Sequence, residues 1–226
     1  MTPNGVGSRA QLVLASASPR RRQILESLGI IVRCLDVDVD ETPRPGESPS
    51  AMVARLAEAK AKAGLAMLEA ERAGYGDGVV VIGADTTVAL GEESLGKPVD
   101  DGDARAMLRR LSGRSHQVLS GVAVAVGRAG GEAGGRCETR VDGATVYFRV
   151  VDEAEISAYV ASGEPRGKAG AYAIQGRGGL FVPRIEGSYA AVVGLPVVVL
   201  DELCRGVAGR PLGSWASDGS GGGGEG

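Results

Sequence analysis

The stretch Leu12-Val13-Leu14-Ala15-Ser16-Ala17-Ser18-Pro19-Arg20-Arg21-Arg22 limits what this chain can fold into more than any other. The apolar run Leu12 to Ala15 reads as a buried strand. A turn of small residues follows, and Ser18 is placed to cap a helix whose first position is Pro19. Ile24, Leu25 and Leu28 form one apolar stripe on that helix, and Gly29 suits its C-terminal stop. The first turn breaks a local rule. Three arginines sit where the backbone already presents unpaired N–H groups and a partial positive charge, each at a cost of roughly 0.3–1 kcal/mol. A phosphate-bearing ligand answers that arrangement, because phosphates are the usual guests of a helix N-terminus. The alternative is that the arginines splay into solvent or pair with nearby carboxylates.

A chain of 226 residues with 43% hydrophobic content supports one substantial domain or two small lobes. Its net charge of −3 gives no global pull toward nucleic acid or membrane, so a phosphate site must be local. Met1 to Gln11 lack the pattern of a secretory signal, and no apolar run is long enough to span a bilayer. Cys34, Cys137 and Cys204 are scattered and form no C-x-x-C pair, which points to a reducing cytoplasm rather than a disulfide framework or zinc site. His116 is the single histidine, so multi-histidine metal sites are excluded. A metal would need oxygen ligands, which points to magnesium or manganese.

Along the chain, Ile30 to Val39 is expected as a strand ending in the acids Asp36, Asp38, Asp40 and Glu41. Ser48-Pro49 opens a long helix on which Val53, Leu56, Lys60 and Ala63 share one face. Lys60 either snorkels to an edge of that apolar stripe or reaches into a cleft for an anion. Val79 to Ile82 is a buried strand that runs into Gly83-Ala84-Asp85-Thr86-Thr87. A carboxylate after a buried strand is where open α/β sheets place their chemistry, although turn and cap aspartates are common. Gly91 to Pro98 matches the P-loop pattern except at its last position, where Pro98 has no hydroxyl for magnesium, so the P-loop reading is rejected. Lys97 stays a candidate phosphate contact or a solvated turn lysine.

Asp103 to Leu111 reads as a helix, Gln117 to Val126 and Glu138 to Val151 as strands around a glycine-rich hairpin loop at Gly127 to Arg136. Asp152 and Glu155 resemble a capping box. Gln175, in a loop of small residues, could read a base edge or satisfy loop backbone. Leu180 to Ile185 is expected as a strand and Ser188 to Val193 as another extended piece. Pro196 opens a last helix whose valines favour a strand by propensity. A flexible start over 1–10, one folded domain over 11–210 and a disordered tail over 211–226 are expected, with Trp215 in that tail and not a core anchor.

In order and spacing, several motifs together resemble the Maf family of nucleoside triphosphate pyrophosphatases. They are Ala15-Ser16-Ala17-Ser18-Pro19-Arg20-Arg21, Val53 to Ala61 around Lys60, Gly83-Ala84-Asp85-Thr86, Gly96-Lys97-Pro98, and Leu111-Ser112-Gly113 with His116. Lys168-Ala169-Gly170-Ala171-Tyr172 with Ile174-Gln175-Gly176, and Gly187-Ser188-Tyr189 with Val193-Gly194-Leu195-Pro196, complete the set. The resemblance spans Leu12 to Val207. It implies an α/β fold shared with inosine triphosphate pyrophosphatases: a mixed twisted sheet with flanking helices, in two lobes around a cleft. It implies hydrolysis of a nucleoside triphosphate to the monophosphate and pyrophosphate with a divalent cation, magnesium or manganese. Asp85 corresponds to the proton-accepting aspartate, and Arg20, Thr86 and Gln175 to the residues that separate substrate subgroups, here resembling the one that acts on dTTP and UTP. The 7-methyl-GTP subgroup instead has Ala-Asp-Gln at the aspartate and Ser-Glu-Gly in place of Ile174-Gln175-Gly176. The residues suit that chemistry: Ser16, Arg20 and Arg21 are expected as phosphate donors at the helix start, Lys60 and Lys97 as neutralising cations, and Asp85, with Glu41 as a second candidate, as metal ligand, while a role for Asp85 mainly as general base stays open. Many members are dimers, so a homodimer is expected, with a nucleoside triphosphate as substrate and neither nucleic acid nor membrane as partner. Members have also been linked to arrest of cell division or septum formation, so the alternative is a nucleotide-binding regulator with little turnover.

Overall fold

The computed structural model describes residues 11–71, 79–127 and 135–216. The expected flexible start, residues 72–78, most of the glycine-rich hairpin loop and residues 217–226 lie outside the described residues. The elements in order are β1 (Gln11–Ala15), α1 (Pro19–Ser27), β2 (Arg33–Leu35), α2 (Pro49–Ala70), β3 (Val79–Leu90), β4 (Glu93–Leu95) and α3 (Asp101–Leu111). They continue with β5 (Ser115–Val126), β6 (Arg136–Tyr147), α4 (Glu153–Ala161), β7 (Arg184–Gly187), α5 (Tyr189–Val193) and α6 (Val197–Ala208).

One mixed sheet carries the fold, in the order β2-β1-β3-β5-β6-β7, with the short β4 also paired to β3. β2, β1 and β3 are parallel, and the remaining pairings are antiparallel. Strand alternation sorts the side chains onto two faces. Leu12, Leu14, Val80 and Ile82 pack with Leu25 of α1 and with Leu200, Leu203 and Cys204 of α6. Val13, Ala15, Val81 and Ala123 pack on the other face against Ala57, Ala61 and Leu65 of α2. β1 is therefore apolar on both sides, as a parallel strand covered by helices must be. The far ends of β3, β5 and β6 join α3 and α4 in a third cluster around Val88, Leu108, Val118, Val146 and Phe148.

Local signals set the helix starts. The Ser48 hydroxyl accepts the Ala51 N–H at 3.2 Å, and the Asp100 carboxylate accepts that of Asp103 at 2.8 Å. Asp152 and Glu155 form the expected capping box. Ser18 departs from expectation: its side chain makes no cap bond, and its N–H donates to the Ser16 hydroxyl at 3.2 Å.

Several expectations are corrected. The strand after α1 is only Arg33–Leu35, and β6 ends at Tyr147. Arg177–Phe181 is a 3₁₀ turn, so the strand expected from Leu180 starts at Arg184. Ser188 to Val193 is not extended: Ser188 caps α5 by accepting the Ala191 N–H at 3.2 Å. The domain boundary at 210 falls short. Leu212–Trp215 form a 3₁₀ turn, Leu212 is buried, and Ala216 bridges Ile30. Trp215 packs against the first core cluster beneath the Arg210 guanidinium, 4.1 Å from its ring centre. In α6 the valines give way to burial, since Leu200, Leu203, Cys204 and Val207 repeat at helical spacing and fill the core.

Candidate active site

The sheet is incomplete at one place. β1 ends at Ala15 opposite Gly83, and β4 ends at Leu95 opposite Val88, both on the edge of β3 away from β5. Residues 84–87 thus have a neighbouring strand on one side only. This gap lies at the C-terminal end of β1, and a cleft of about 770 Å³ opens there. Such crevices beyond the carboxyl ends of parallel strands are where open α/β sheets bind ligands.

Close packing of α2 on the sheet brings one cation to the gap. A Cβ at Gly83 would lie 2.1 Å from the Ala57 carbonyl oxygen, and one at Gly121 would lie 2.2 Å from that of Val53. Glycine at both positions lets the helix backbone rest on β3 and β5. Lys60, on the buried stripe of α2, then reaches the residue two beyond Gly83. Its Nζ donates to Asp85 Oδ1 at 2.7 Å and to Glu41 Oε1 at 2.6 Å. Lys60 and Asp85 are 8% and 9% exposed, so neither charge is left to bulk water. The bond from Lys60 holds the Glu41 carboxyl below the usual carboxylate range despite partial burial. Lys97 is exposed, and its Nζ lies 3.7 Å from Glu41 Oε2.

Thr86 follows Asp85 in the strand and faces the opposite side of the sheet. Arg21 meets it there from α1. The guanidinium donates to the Ser16 hydroxyl at 3.0 Å, to the Thr86 hydroxyl at 3.0 Å and to the Gly194 carbonyl at 2.9 Å. Thr86 Oγ1 also lies 2.8 Å from the hydroxyl of its cross-strand partner Ser120, which donates to the Ala191 carbonyl at 2.7 Å. Burial lowers the Arg21 pKa and the Asp85 charge opposes that shift. The three arginines of the first turn have separate fates. Arg20 lines the cleft, half-buried, with no hydrogen-bond or ion-pair partner among the described residues. Arg22 turns outward and pairs with Glu26 at 3.3 Å.

Ser16, Arg20, Arg21, Glu41, Lys60, Asp85, Thr86, Lys97 and Gln175 all line this one cleft. Arg166 and Lys168 line it as well and were not picked out as ligand contacts. Ser120 was also missed; its signal is a single hydroxyl in the otherwise apolar run Gly121 to Val126 and Val118 to Leu119. His116 stays behind the cleft wall. Its Nε2 lies 2.8 Å from the hydroxyl of Tyr172, and its ring packs edge-on against Phe148 with centres 5.0 Å apart. Burial pushes its pKa down to about 4.

A mixed sheet broken at a carboxylate, with a buried ammonium on one face and an arginine-bearing helix start on the other, defines an α/β protein whose charged cleft opens beyond the carboxyl end of a parallel strand. Among such proteins, this chain belongs to the Maf-like protein family, which it matches over residues 11–207. It is 46% identical over 210 residues to the dTTP/UTP pyrophosphatase of Dechloromonas aromatica, covering 89% of this chain and 100% of that protein. It is 47% identical over 204 residues to the dTTP/UTP pyrophosphatase of Hahella chejuensis, covering 88% and 96%. Among solved structures, the nucleoside-triphosphatase / dITP/XTP pyrophosphatase of Mycobacterium abscessus aligns with 62% of this chain and 75% of its own, with TM-score 0.39 and 17% identity. No helix of the described residues is long and apolar enough to cross a membrane.

Proposed function

We propose that this protein hydrolyses dTTP and UTP between the α and β phosphates, releasing the monophosphate and pyrophosphate. The observation that carries the reading is the Asp85–Lys60–Glu41 cluster at the gap in the sheet. The names of the relatives reported above support the choice of substrates.

In this reading the triphosphate lies along the start of α1. Arg20, half-buried and without a hydrogen-bond or ion-pair partner among the described residues, meets it directly, and Ser16 is oriented for it by Arg21. Lys60 and Lys97 offset the remaining charge. Phosphoryl chemistry is mostly positioning and charge stabilisation, which suits a site with many fixed donors and one carboxylate at the reacting centre. Asp85 takes the proton of the attacking water as general base. Lys60 holds that carboxylate in place. Gln175 offers one acceptor and one donor group, complementary to the keto and imide edge of uracil and thymine. Thr86 acts through Arg21 and Ser120, since its hydroxyl is already engaged by both.

Asp85 and Glu41 present hard carboxylate oxygens at one point, which fits magnesium or manganese, ions that take few protein carboxylates and complete their shell with water and phosphate oxygens. Such an ion, when bound, neutralises phosphate charge and makes water more acidic.

A product assay tests the reading. The purified chain is incubated with magnesium or manganese and a panel of canonical and modified triphosphates, and products are separated by chromatography. Monophosphate plus pyrophosphate, strongest from dTTP and UTP, is expected. Diphosphate plus orthophosphate would overturn it, and tight binding without turnover would point to a nucleotide-binding regulator instead.

A further inference from the structure

The turn that carries Gln175 closes through the Gly176 N–H on the Ala173 carbonyl at 3.3 Å and is tied to the rest of the fold by two side chains. The Tyr159 hydroxyl accepts the Ala173 N–H at 3.1 Å and donates to Glu164 Oε1 at 2.9 Å. The same Oε1 accepts the Gly178 N–H at 3.1 Å, and Oε2 accepts the Arg177 N–H at 3.0 Å. The backbone is thus pinned just before and just after Ile174-Gln175-Gly176. Tyr159 is a firm anchor: it is buried, and its ring meets Phe181 edge-on with centres 5.0 Å apart. The fit is tight. A Cβ at Gly176 would lie 2.4 Å from Glu164 Oε1, and one at Gly178 would lie 2.8 Å from the Tyr159 hydroxyl. Burial would raise the Glu164 carboxyl, but the two backbone donors and Tyr159 outweigh it, so the group stays ionised and accepting. Between the pins, Gln175 is exposed and lines the cleft.

We infer that Glu164 and Tyr159 are positioning residues for base selection, fixing the turn that presents Gln175 to the nucleotide base. The inference rests on the proposed pyrophosphatase reading. An amide on a turn discriminates between bases only when its position is fixed to a fraction of an ångström. Bonds from backbone N–H groups to a carboxylate are stronger than those between neutral groups, which suits Glu164 to that task. Neither residue touches the reacting phosphates in this account, so kcat is not where their effect falls.

The test uses the full chain carrying Glu164→Ala or Tyr159→Phe, each alone and combined with Gln175→Ala, assayed with UTP and CTP. Tyr159→Phe keeps the ring in the core and removes only the hydroxyl, so it decides the matter if Glu164→Ala does not fold. Each single variant is expected to lower the UTP-to-CTP ratio of kcat/KM about tenfold, mainly through the KM for UTP. In the Gln175→Ala background neither should lower the ratio further, because the route to the base is already cut. An unchanged ratio, an equal further fall in that background, or a wild-type chain that treats UTP and CTP alike would overturn the inference. Failure of the functional reading is separate: the wild-type chain would then release no monophosphate and pyrophosphate from any substrate.

Discussion

The Lys60 ammonium lies 2.7 Å from Asp85 and 2.6 Å from Glu41, so a single cation on α2 compensates carboxylates from β3 and from the loop after β2. Lys60→Met leaves the buried Asp85 charge without its counter-ion. Breaking such a pair from one side costs about 3 kcal/mol. Denaturant unfolding should record that loss near neutral pH. Magnesium or manganese should recover more Tm in Lys60→Met than in the wild type, because a cation then replaces the ammonium. Equal metal shifts in both proteins would count against Asp85 and Glu41 as a shared cation site.

Asp85→Asn retains the shape and removes the charge. With Asp85 as the base, kcat/KM for UTP should fall about a thousandfold, equivalent to about 4 kcal/mol of lost transition-state stabilisation. Circular dichroism should show the fold retained. Turnover at the wild-type rate would remove Asp85 from the mechanism.

His116 gives a pH dependence with a fixed sign. Its folded pKa is about 4, below the value of about 6.5 for an exposed histidine. The unfolded chain therefore binds more protons between these values, and stability falls as pH drops from about 6.5 towards 4. The full contribution is present above that window and amounts to about 3 kcal/mol. Since the chain has one histidine, its imidazole proton NMR signals report this group alone. A midpoint near 6.5 in the folded protein would contradict the prediction. His116→Gln should flatten the stability profile across the same window.

Gly83→Ala should be more harmful than its size suggests. The new methyl group would meet the Ala57 carbonyl oxygen at 2.1 Å and push α2 from the sheet. Overpacking of this kind costs about 1–3 kcal/mol. Because Lys60 rides on the displaced helix, kcat should fall as well. A variant with lowered Tm and unchanged kcat would show that the Lys60–Asp85 contact tolerates the shift.

Arg21→Lys keeps the positive charge but loses the guanidinium that joins Ser16, Thr86 and Gly194. One ammonium cannot span these partners. A loss of about 1–2 kcal/mol in stability is expected, with a higher KM for the triphosphate. Equal KM values would mean that Ser16 needs no support from Arg21.

Much of the site was legible in the sequence because its residues violate local expectation. Lys60 interrupts an apolar helical stripe, Asp85 follows a buried strand, and arginines crowd a helix start that should repel them. The bond from Arg21 to Thr86 was not legible, since it depends on how β3, α1 and the α5–α6 turn meet in space. Nor was the place of Thr86 on the face opposite Asp85 read as a consequence of strand alternation. Val197 to Val199 favour a strand locally, yet the core requires the helical spacing of Leu200, Leu203 and Val207. Trp215 was misread because the glycine-rich residues after it dominate the composition, while its own contacts with the core are long-range.

The interruption between β1 and β4 has a consequence for colloidal behaviour. Unpaired strand edges invite foreign strands to add on and seed aggregates. On this side of β3, residues 84–87 lack a neighbour and are bounded by paired backbone at both ends. An incoming strand would find too short a run to zip onto and would meet the Lys60 and Asp85 charges on arrival. The opening beside β3 can therefore receive a ligand without itself offering a docking edge to a foreign strand, and β4, despite its three residues, acts as the guard that keeps the opening short.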